Sequence, residues 1–297
     1  MIKIAVVVIL VAIIAISAVG IVDNNRSINY GGYNSFSSSP FLTLTANITH
    51  PSPQANFTYG YVNPNLWNLQ QGDGNATMIM YSNSSVLTTS TLSNVSIGYG
   101  GVIGYPSEHF TKIVGESVQS IIDSNLSSFA SFRIVNHTSG ILTDVAYDIF
   151  LSQGGRLTDE IMIYLYKANY DLGMFPYATF NTVVGVNGIS KNISWSVEES
   201  TSSPWGGQLY AFVPNINFTN SMSYKVNFSP FFKYLLKTQD IETGLSIARF
   251  GIGSEFSYNI ILKNNHLENL AYYSFWLYSY FIINGTKYQI IQPSGGV

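Results

Sequence analysis

Short runs of Val, Ile, Tyr, Phe and Thr, separated by Gly, Asn and Pro, make up most of this sequence. Such runs are typical of β-strands, and regular turn residues between them are typical of an all-β sandwich. The one clear helical pattern is SPFFKYLLKTQD at 229–240, where Ser229 suits the N-cap and Pro230 suits the first turn. The sequence therefore predicts about a dozen strands and one short helix.

The first 22 residues differ sharply from the rest. Residues 4–22 form an uncharged, mostly apolar run behind Lys3, which suits either a long cleaved secretory signal or an uncleaved membrane anchor. Both alternatives export the remaining chain, so we expect a secreted or cell-surface protein. Residues 23–58 are rich in Ser, Thr, Asn, Gly and Pro and are predicted to be a linker, with room for a short strand at 41–49. Residues 59–297 are expected to form one main domain.

Composition excludes several classes of function. Only 10% of the residues are charged, the net charge is −3 and no basic run occurs, so a nucleic-acid partner is not expected. The chain has no cysteine and therefore no disulfide, thiol chemistry or cysteine metal site. Its four histidines form no H-E-x-x-H motif, and neither a G-x-S-x-G elbow nor a P-loop is present. We expect no metal, nucleotide or other cofactor.

The scarcity of charge suggests where the protein works. Its polar surface must consist largely of Asn, Ser, Thr, Gln and Tyr, which keep the same charge state in acid. Heat alone usually favours more charge, so an acidic external medium is our hypothesis. Export also agrees with the many N-x-S/T sequons, several of which are expected to carry glycans. These sequons begin at Asn25, Asn47, Asn56, Asn75, Asn83, Asn94, Asn125, Asn136, Asn192, Asn217, Asn227 and Asn284.

A carboxylate stands at the head of the otherwise apolar segment DEIMIYLY at 159–166. Period-two alternation gives this strand one aliphatic face and a second face with a carboxylate and aromatic rings. The first face is Ile161, Ile163 and Leu165, and the second is Glu160, Met162, Tyr164 and Tyr166. A glutamate at a strand start is more often an exposed edge residue than a catalyst, and strand tyrosines more often pack than bind ligand. The second face is nevertheless too aromatic to be simply solvent-facing.

A second carboxylate has a comparable setting. In RFGIGSEFSY, Glu255 falls on the same side as Gly251 and Gly253, which have no side chains, so room for a ligand is predicted there. A sheet face that combines carboxylates, aromatic rings and clearance suits sugar binding. Two carboxyl groups flanking a glycosidic bond can supply an acid and a nucleophile or base.

These segments carry a family resemblance. EIMIY at 160–164 resembles the E-[IL]-M-I-W nucleophile segment of glycoside hydrolase family 12, the jelly-roll endoglucanases, and RFGIGSEF at 249–256 resembles the strand that bears their acid/base glutamate. Further similar segments follow in the expected order: NPNLWN (63–68), VIGYPSEHF (102–110), VAYDIFL (145–151) and SWSV with WGGQLYAFV (194–213). The resemblance spans roughly residues 58–290 and is to the archaeal and prokaryotic members.

The resemblance implies a jelly-roll sandwich of two antiparallel sheets with a concave substrate cleft, so that residues 59–297 would be a catalytic domain. It implies retaining, endo-acting hydrolysis of β-1,4-glucosidic bonds in cellulose or related β-glucans. We expect the protein to be a monomer. Glu160 would be the nucleophile, Glu255 the acid/base and Asp148 the residue that supports the nucleophile. The residues implied to contact the substrate are Asn65, Trp67, Met162 and Tyr164.

Two positions depart from the family pattern. Tyr164 stands where a tryptophan is usual, and Glu255 is followed by Phe256 without the usual proline. An alternative from another class is a non-catalytic glycan-binding or cell-surface structural protein on the same sandwich. The carboxylate pair distinguishes the two, because a lectin needs the aromatic surface but has no use for both glutamates.

Overall fold

The computed structural model describes residues 39–97, 102–139, 141–168, 174–200, 206–238, 240–257, 266–267 and 271–292. Nineteen strands and two helices lie in these residues. The strands are β1 (Pro40–Asn47), β2 (Ala55–Phe57), β3 (Gly60–Asn63), β4 (Leu69–Tyr81), β5 (Ser85–Ile97), β6 (Val102–Gly104), β7 (Ser107–Phe110), β8 (Ser127–His137), β9 (Leu142–Gln153), β10 (Arg156–Ala168), β11 (Phe175–Val186), β12 (Ile189–Ser200), β13 (Gln208–Pro214), β14 (Ser221–Asn227), β15 (Ser246–Gly253), β16 (Phe256–Ser257), β17 (His266–Leu267), β18 (Ala271–Ile283) and β19 (Thr286–Tyr288). The helices are α1 (Val118–Asp123) and α2 (Ser229–Thr238).

The strands form one curved sheet that folds into two layers. One layer, which we call the site layer, has the order β3, β7, β15, β9, β10, β13, β12, β11. The second layer runs β1, β4, β5, β18, β8, β14, and pairing of β11 with β14 joins the two. The predicted all-β sandwich is confirmed. Among the described strands one pair, β10 with β13, is parallel, which the sequence did not indicate.

Aromatic side chains fill the space between the layers. Phe110 of β7 stacks on Phe281 of β18 with ring centroids 4.4 Å apart, and Phe132 of β8 meets the edge of Tyr166 of β10 at 5.9 Å. Burial of each such ring stabilises the fold by roughly 1.5–3 kcal/mol.

The predicted aliphatic face of β10, with Ile161, Ile163 and Leu165, lies in this core. Tyr166 was predicted on the opposite face; that prediction is wrong, because the register shifts between Tyr164 and Tyr166.

The two helices pack beside each other at the edge of this core. The predicted helix at 229–240 is present as α2. The ring centroid of its Phe231 lies 5.1 Å from that of Trp195 and 5.0 Å from that of Phe212. The unpredicted helix is α1, where the side chain of Ser117 accepts a hydrogen bond from the Ser120 N–H. Six residues are too few to produce a recognisable helical period.

The N-terminal segments are described in part. Strand β1 pairs with β4, so the sheet begins at Pro40, inside the range 23–58 assigned to the linker, and it includes the short strand expected at 41–49. The predicted signal or anchor at 1–22 lies outside the described residues. Within the described part of the chain no helix is long and apolar enough to cross a membrane.

Candidate active site

The centre of the site layer is strand β9, which lies between β10 and β15. Asp148 of β9 is opposite Met162 of β10 on one side and Gly251 of β15 on the other. Directly opposite residues on paired strands project to the same face. The neighbours of Asp148 in sequence, Tyr147 and Ile149, belong to the core between the layers. Asp148 therefore projects from the outer face of the site layer, which we call the floor.

The predicted nucleophile projects from the same floor. Glu160 is half-buried, and its side chain shares a hydrogen bond with Asp148. Burial, together with the negative charges of Glu160 and Glu255, holds the pKa of Asp148 well above its usual value. A protonated Asp148 can donate to the Glu160 carboxylate and stabilise its ionised form. The structure thus places the predicted supporting residue in contact with the predicted nucleophile.

The predicted acid/base residue is held through its backbone between β15 and β16. The Glu255 N–H donates to the Asp144 side chain over 3.0 Å, and the Glu255 carbonyl accepts from the Thr143 hydroxyl over 3.0 Å. The same carbonyl accepts the Asp144 N–H over 3.2 Å. These bonds attach Glu255 to β9 through its backbone, and its side chain is half-buried.

The space predicted above the two glycines of β15 is occupied by other residues of the protein. A Cβ atom on Gly253 would lie 2.3 Å from the Pro106 carbonyl oxygen, and one on Gly251 would lie 2.9 Å from Nδ1 of His109. The space is therefore filled by β7 and the residue before it, and the prediction of an empty space for ligand is wrong. Glycine is required because the two strands approach so closely.

The carboxylates of the floor all raise the pKa of one neighbouring tyrosine, Tyr105. The pKa of the buried Tyr105 is raised by burial and then by the charges of Asp148, Asp144, Glu255 and Glu160. Glu160 and Glu255, distant in sequence, therefore lie in one electrostatic cluster, which we call the carboxylate cluster. It comprises Asp144, Asp148, Glu160 and Glu255.

Two cations border the carboxylate cluster. Lys167 lowers the pKa of Asp144 and Arg249 lowers that of Asp148, but burial outweighs both effects. In the described part of the chain no group of three or more His, Asp or Glu side chains is arranged to hold a metal ion.

The predicted substrate contacts differ in their exposure. Met162 and Tyr164 are almost completely buried, and the Tyr164 hydroxyl donates to Sδ of Met162 over 3.4 Å. Both side chains belong to a small apolar cluster that also contains Leu209. Tyr164 thus offers no exposed ring face, and it supports Met162, whereas the resemblance implied that it contacts the substrate.

The remaining predicted contacts lie on the segment before β4. The Trp67 side chain is 42% exposed, unlike the buried Leu66 before it. Asn65 accepts a hydrogen bond from Ser52 through its side chain and one from the Tyr105 N–H through its carbonyl. The Tyr105 hydroxyl in turn donates to the carbonyl of Ala146 on β9 over 3.0 Å. The segment that carries the exposed Trp67 is thereby attached to the floor.

Several floor residues had no predicted role. Asp144 shares a face of β9 with Asp148, as strand alternation indicates. His109 and Tyr61, whose rings stack at 4.4 Å, gave no local signal. Burial, and then the charge of Arg249, lowers the pKa of His109 to about 3. A neutral imidazole therefore borders the site across the acid range in which free histidine is charged.

Comparison with known proteins agrees with this architecture. The profile of Glycosyl hydrolase family 12 matches residues 58–265, about 70% of the chain. The chain belongs to glycosyl hydrolase family 12. The predicted family is confirmed, and the protein is a glycoside hydrolase. No curated protein matches the chain in sequence.

Solved structures of family 12 proteins are similar in fold. The family 12 xyloglucanase from Bacillus licheniformis, in complex with ligand, has a TM-score of 0.59 at 17% identity, covering 82% of this chain and 100% of that chain. Endoglucanase 3 from Trichoderma harzianum has a TM-score of 0.56 at 19% identity, with 83% and 100% covered. The xyloglucanase domain of NopAA from Sinorhizobium fredii, in complex with cellobiose, has a TM-score of 0.54 at 20% identity, with 81% and 100% covered. The family 12 jelly roll is thus the fold of this chain.

Proposed function

We propose that this protein is a retaining, endo-acting glycosidase that hydrolyses β-1,4-glucosidic bonds in cellulose or a related β-glucan. The observation that carries the proposal is the carboxylate cluster, in which Asp148 shares a hydrogen bond with Glu160 while Asp144 holds Glu255 nearby. Similar folds belong to an endoglucanase and to xyloglucanases, one of them bound to cellobiose. Because such polymers do not cross membranes, we place the enzyme outside the cell, as residues 1–22 predict.

The chemistry requires two carboxyl groups in different protonation states. Ionised Glu160 would attack the anomeric carbon while Glu255 donates its proton to the leaving oxygen. Glu255 would then take a proton from the water that releases the sugar, so the anomeric configuration is retained. Asp148 keeps its proton because it is buried beside two negative charges, and its hydrogen bond stabilises Glu160 in the ionised form.

A panel of soluble polysaccharides tests the activity. We expect release of reducing sugar from hydroxyethyl cellulose, mixed-linkage β-glucan or xyloglucan, with the β-anomer appearing first by NMR. Polymers should shorten rapidly, because cleavage within the chain lowers viscosity before much sugar is released. Retardation of the protein in polysaccharide gels without any hydrolysis would instead support the non-catalytic glycan-binding alternative.

We further propose that the enzyme works in acid. Within the described residues the only ion pair joins Lys167 and Glu198 at 3.7 Å. Protonation of carboxylates at low pH therefore breaks few ion pairs. Asp148 donates its hydrogen bond only while protonated, and loss of that proton at higher pH would set two negative charges against each other. We expect a bell-shaped profile of kcat/KM with its maximum below pH 6, measured on hydroxyethyl cellulose from pH 2 to 8. A maximum above pH 7 would contradict the proposal.

Trp67→Ala tests the proposed stacking surface. The indole is exposed and its segment is attached to the floor, so its removal should raise KM for soluble β-glucan by about tenfold with little change in kcat. Ile189→Ala is the matched control, because Ile189 is 61% exposed at the start of β12. Equal KM values for the two variants would exclude Trp67 from substrate binding.

A further inference from the structure

Arg249 projects from the floor beside the carboxylate cluster. It is opposite Phe150 of β9, and Phe150 is opposite Glu160 of β10. The three residues therefore form one row across three strands, with side chains on the same face. The next residue, Phe250, belongs to the core, so alternation confirms that Arg249 points outward. Its side chain is exposed.

The guanidinium group is held in place by an aromatic ring. Cζ of Arg249 lies 4.8 Å from the ring centroid of Phe150, a cation–π arrangement that occupies one face of the planar group. Its charge lowers the pKa of Asp148, Tyr61 and His109, which lie on β9, β3 and β7. The cation thus borders both the carboxylate cluster and the adjacent Tyr61–His109 stack.

The charge of Arg249 has no carboxylate partner in the described residues. The other cation at the cluster, Lys167, forms an ion pair with Glu198 at 3.7 Å and lies over the Tyr164 ring at 5.5 Å. No second ion pair occurs among the residues that the structure describes. An exposed guanidinium with its edge available is suited to bidentate binding of a carboxylate.

We propose that Arg249 anchors a subsite for an acidic sugar unit, one that carries a carboxylate as a uronic acid or as a substituent on the β-linked chain. The negative charge of ionised Glu160 repels an anionic substrate, and a neighbouring cation offsets that repulsion. Arg249 therefore determines specificity and does not take part in the bond cleavage. This proposal rests on the proposed hydrolase function, whose substrate class it extends from neutral to acidic β-linked polymers.

The test compares two soluble polymers with the same backbone, carboxymethyl cellulose and the neutral hydroxyethyl cellulose. At a pH where the carboxymethyl group is ionised, Arg249→Gln should lower kcat/KM for carboxymethyl cellulose about tenfold more than for hydroxyethyl cellulose. Arg249→Lys should give an intermediate ratio, because it keeps the charge and loses the planar fork. Lys191→Gln removes an exposed charge at the far end of β12 and is the control for net charge.

The ratio of the two substrates separates specificity from catalysis. An effect of Arg249 on the protonation of Asp148 or Glu160 would change both rates equally, and equal losses would overturn the proposal. In the wild-type enzyme, the ratio of kcat/KM for carboxymethyl cellulose to that for hydroxyethyl cellulose should also fall with added salt, and when acid protonates the carboxymethyl group.

Gel retardation provides a measurement that does not depend on turnover. In gels containing carboxymethyl cellulose, wild-type protein should migrate more slowly than Arg249→Gln, and hydroxyethyl cellulose should not distinguish them. If neither polymer is hydrolysed, the proposed function fails, while this difference in retardation still supports the acidic subsite. Identical migration of wild-type protein and Arg249→Gln in carboxymethyl cellulose overturns the proposed acidic subsite.

Discussion

Glu160→Gln and Glu255→Gln should each lower kcat by at least about a thousandfold while leaving the fold intact. Glutamine has the shape of glutamate but can neither attack the anomeric carbon nor transfer a proton. Both side chains are half-buried. The hydrogen bonds that hold Glu255 are made by its backbone N–H and carbonyl, so replacing its side chain leaves them in place. The measurement is kcat on hydroxyethyl cellulose together with urea unfolding, and full activity in either variant would refute the assignment.

Azide rescue distinguishes the two roles. Glu160→Ala should regain turnover of a dinitrophenyl cellobioside in azide and produce the α-glycosyl azide, because azide attacks from the side that the nucleophile has left. Glu255→Ala should produce the β-glycosyl azide through an intact glycosyl-enzyme. The opposite assignment of products would exchange the roles of the two glutamates.

Glu108→Gln should stabilise the protein strongly at neutral and alkaline pH and very little in acid. The Glu108 side chain is 1% exposed and faces the core, where Val62 and Ile252 are its partners on the adjacent strands. One carboxyl oxygen accepts the Ser279 hydroxyl of the opposite layer, and the other has no partner among the described residues. Burial raises the pKa of Glu108 to about 8.

The sign of the effect follows from that pKa. Because the folded pKa is raised above the unfolded value of 4.5, the associated stability is complete below pH 4.5 and is lost as the pH rises to about 8. The loss is about 1.4 kcal/mol per pH unit and reaches about 5 kcal/mol. Glutamine has no proton to lose, so the difference in free energy of unfolding between variant and wild type should grow across this interval.

Urea unfolding at pH 4, 6 and 8 measures that difference. His109 acts in the opposite direction: its lowered pKa gives stability that is present above pH 6.5 and lost as the pH falls toward 3. Both proteins contain His109, so its contribution cancels in the comparison. A difference that does not change with pH would show that Glu108 is ionised in the core.

Local alternation was sufficient for the fold class and for much of the site. The pattern in 159–166 separated Ile161 and Ile163 from Glu160 and Met162, and the structure keeps that division. Alternation works because successive side chains in a strand project to opposite faces whatever the strand pairs with. The resemblance of ordered segments then indicated the family and the candidate residues.

Long-range pairing decided what alternation could not. Tyr166 joins the core because a register shift follows Tyr164, and the space above Gly251 is filled by His109 because β7 pairs closely with β15. Arg249 lies in one row with Glu160, with Phe150 between them, only because of the register of three strands. Bulges and registers depend on packing between segments far apart in the chain, so a single strand's sequence does not contain them. The sequence alone therefore determined which residues share a face along an uninterrupted strand, and the tertiary structure determined where that alternation breaks and which strands lie side by side.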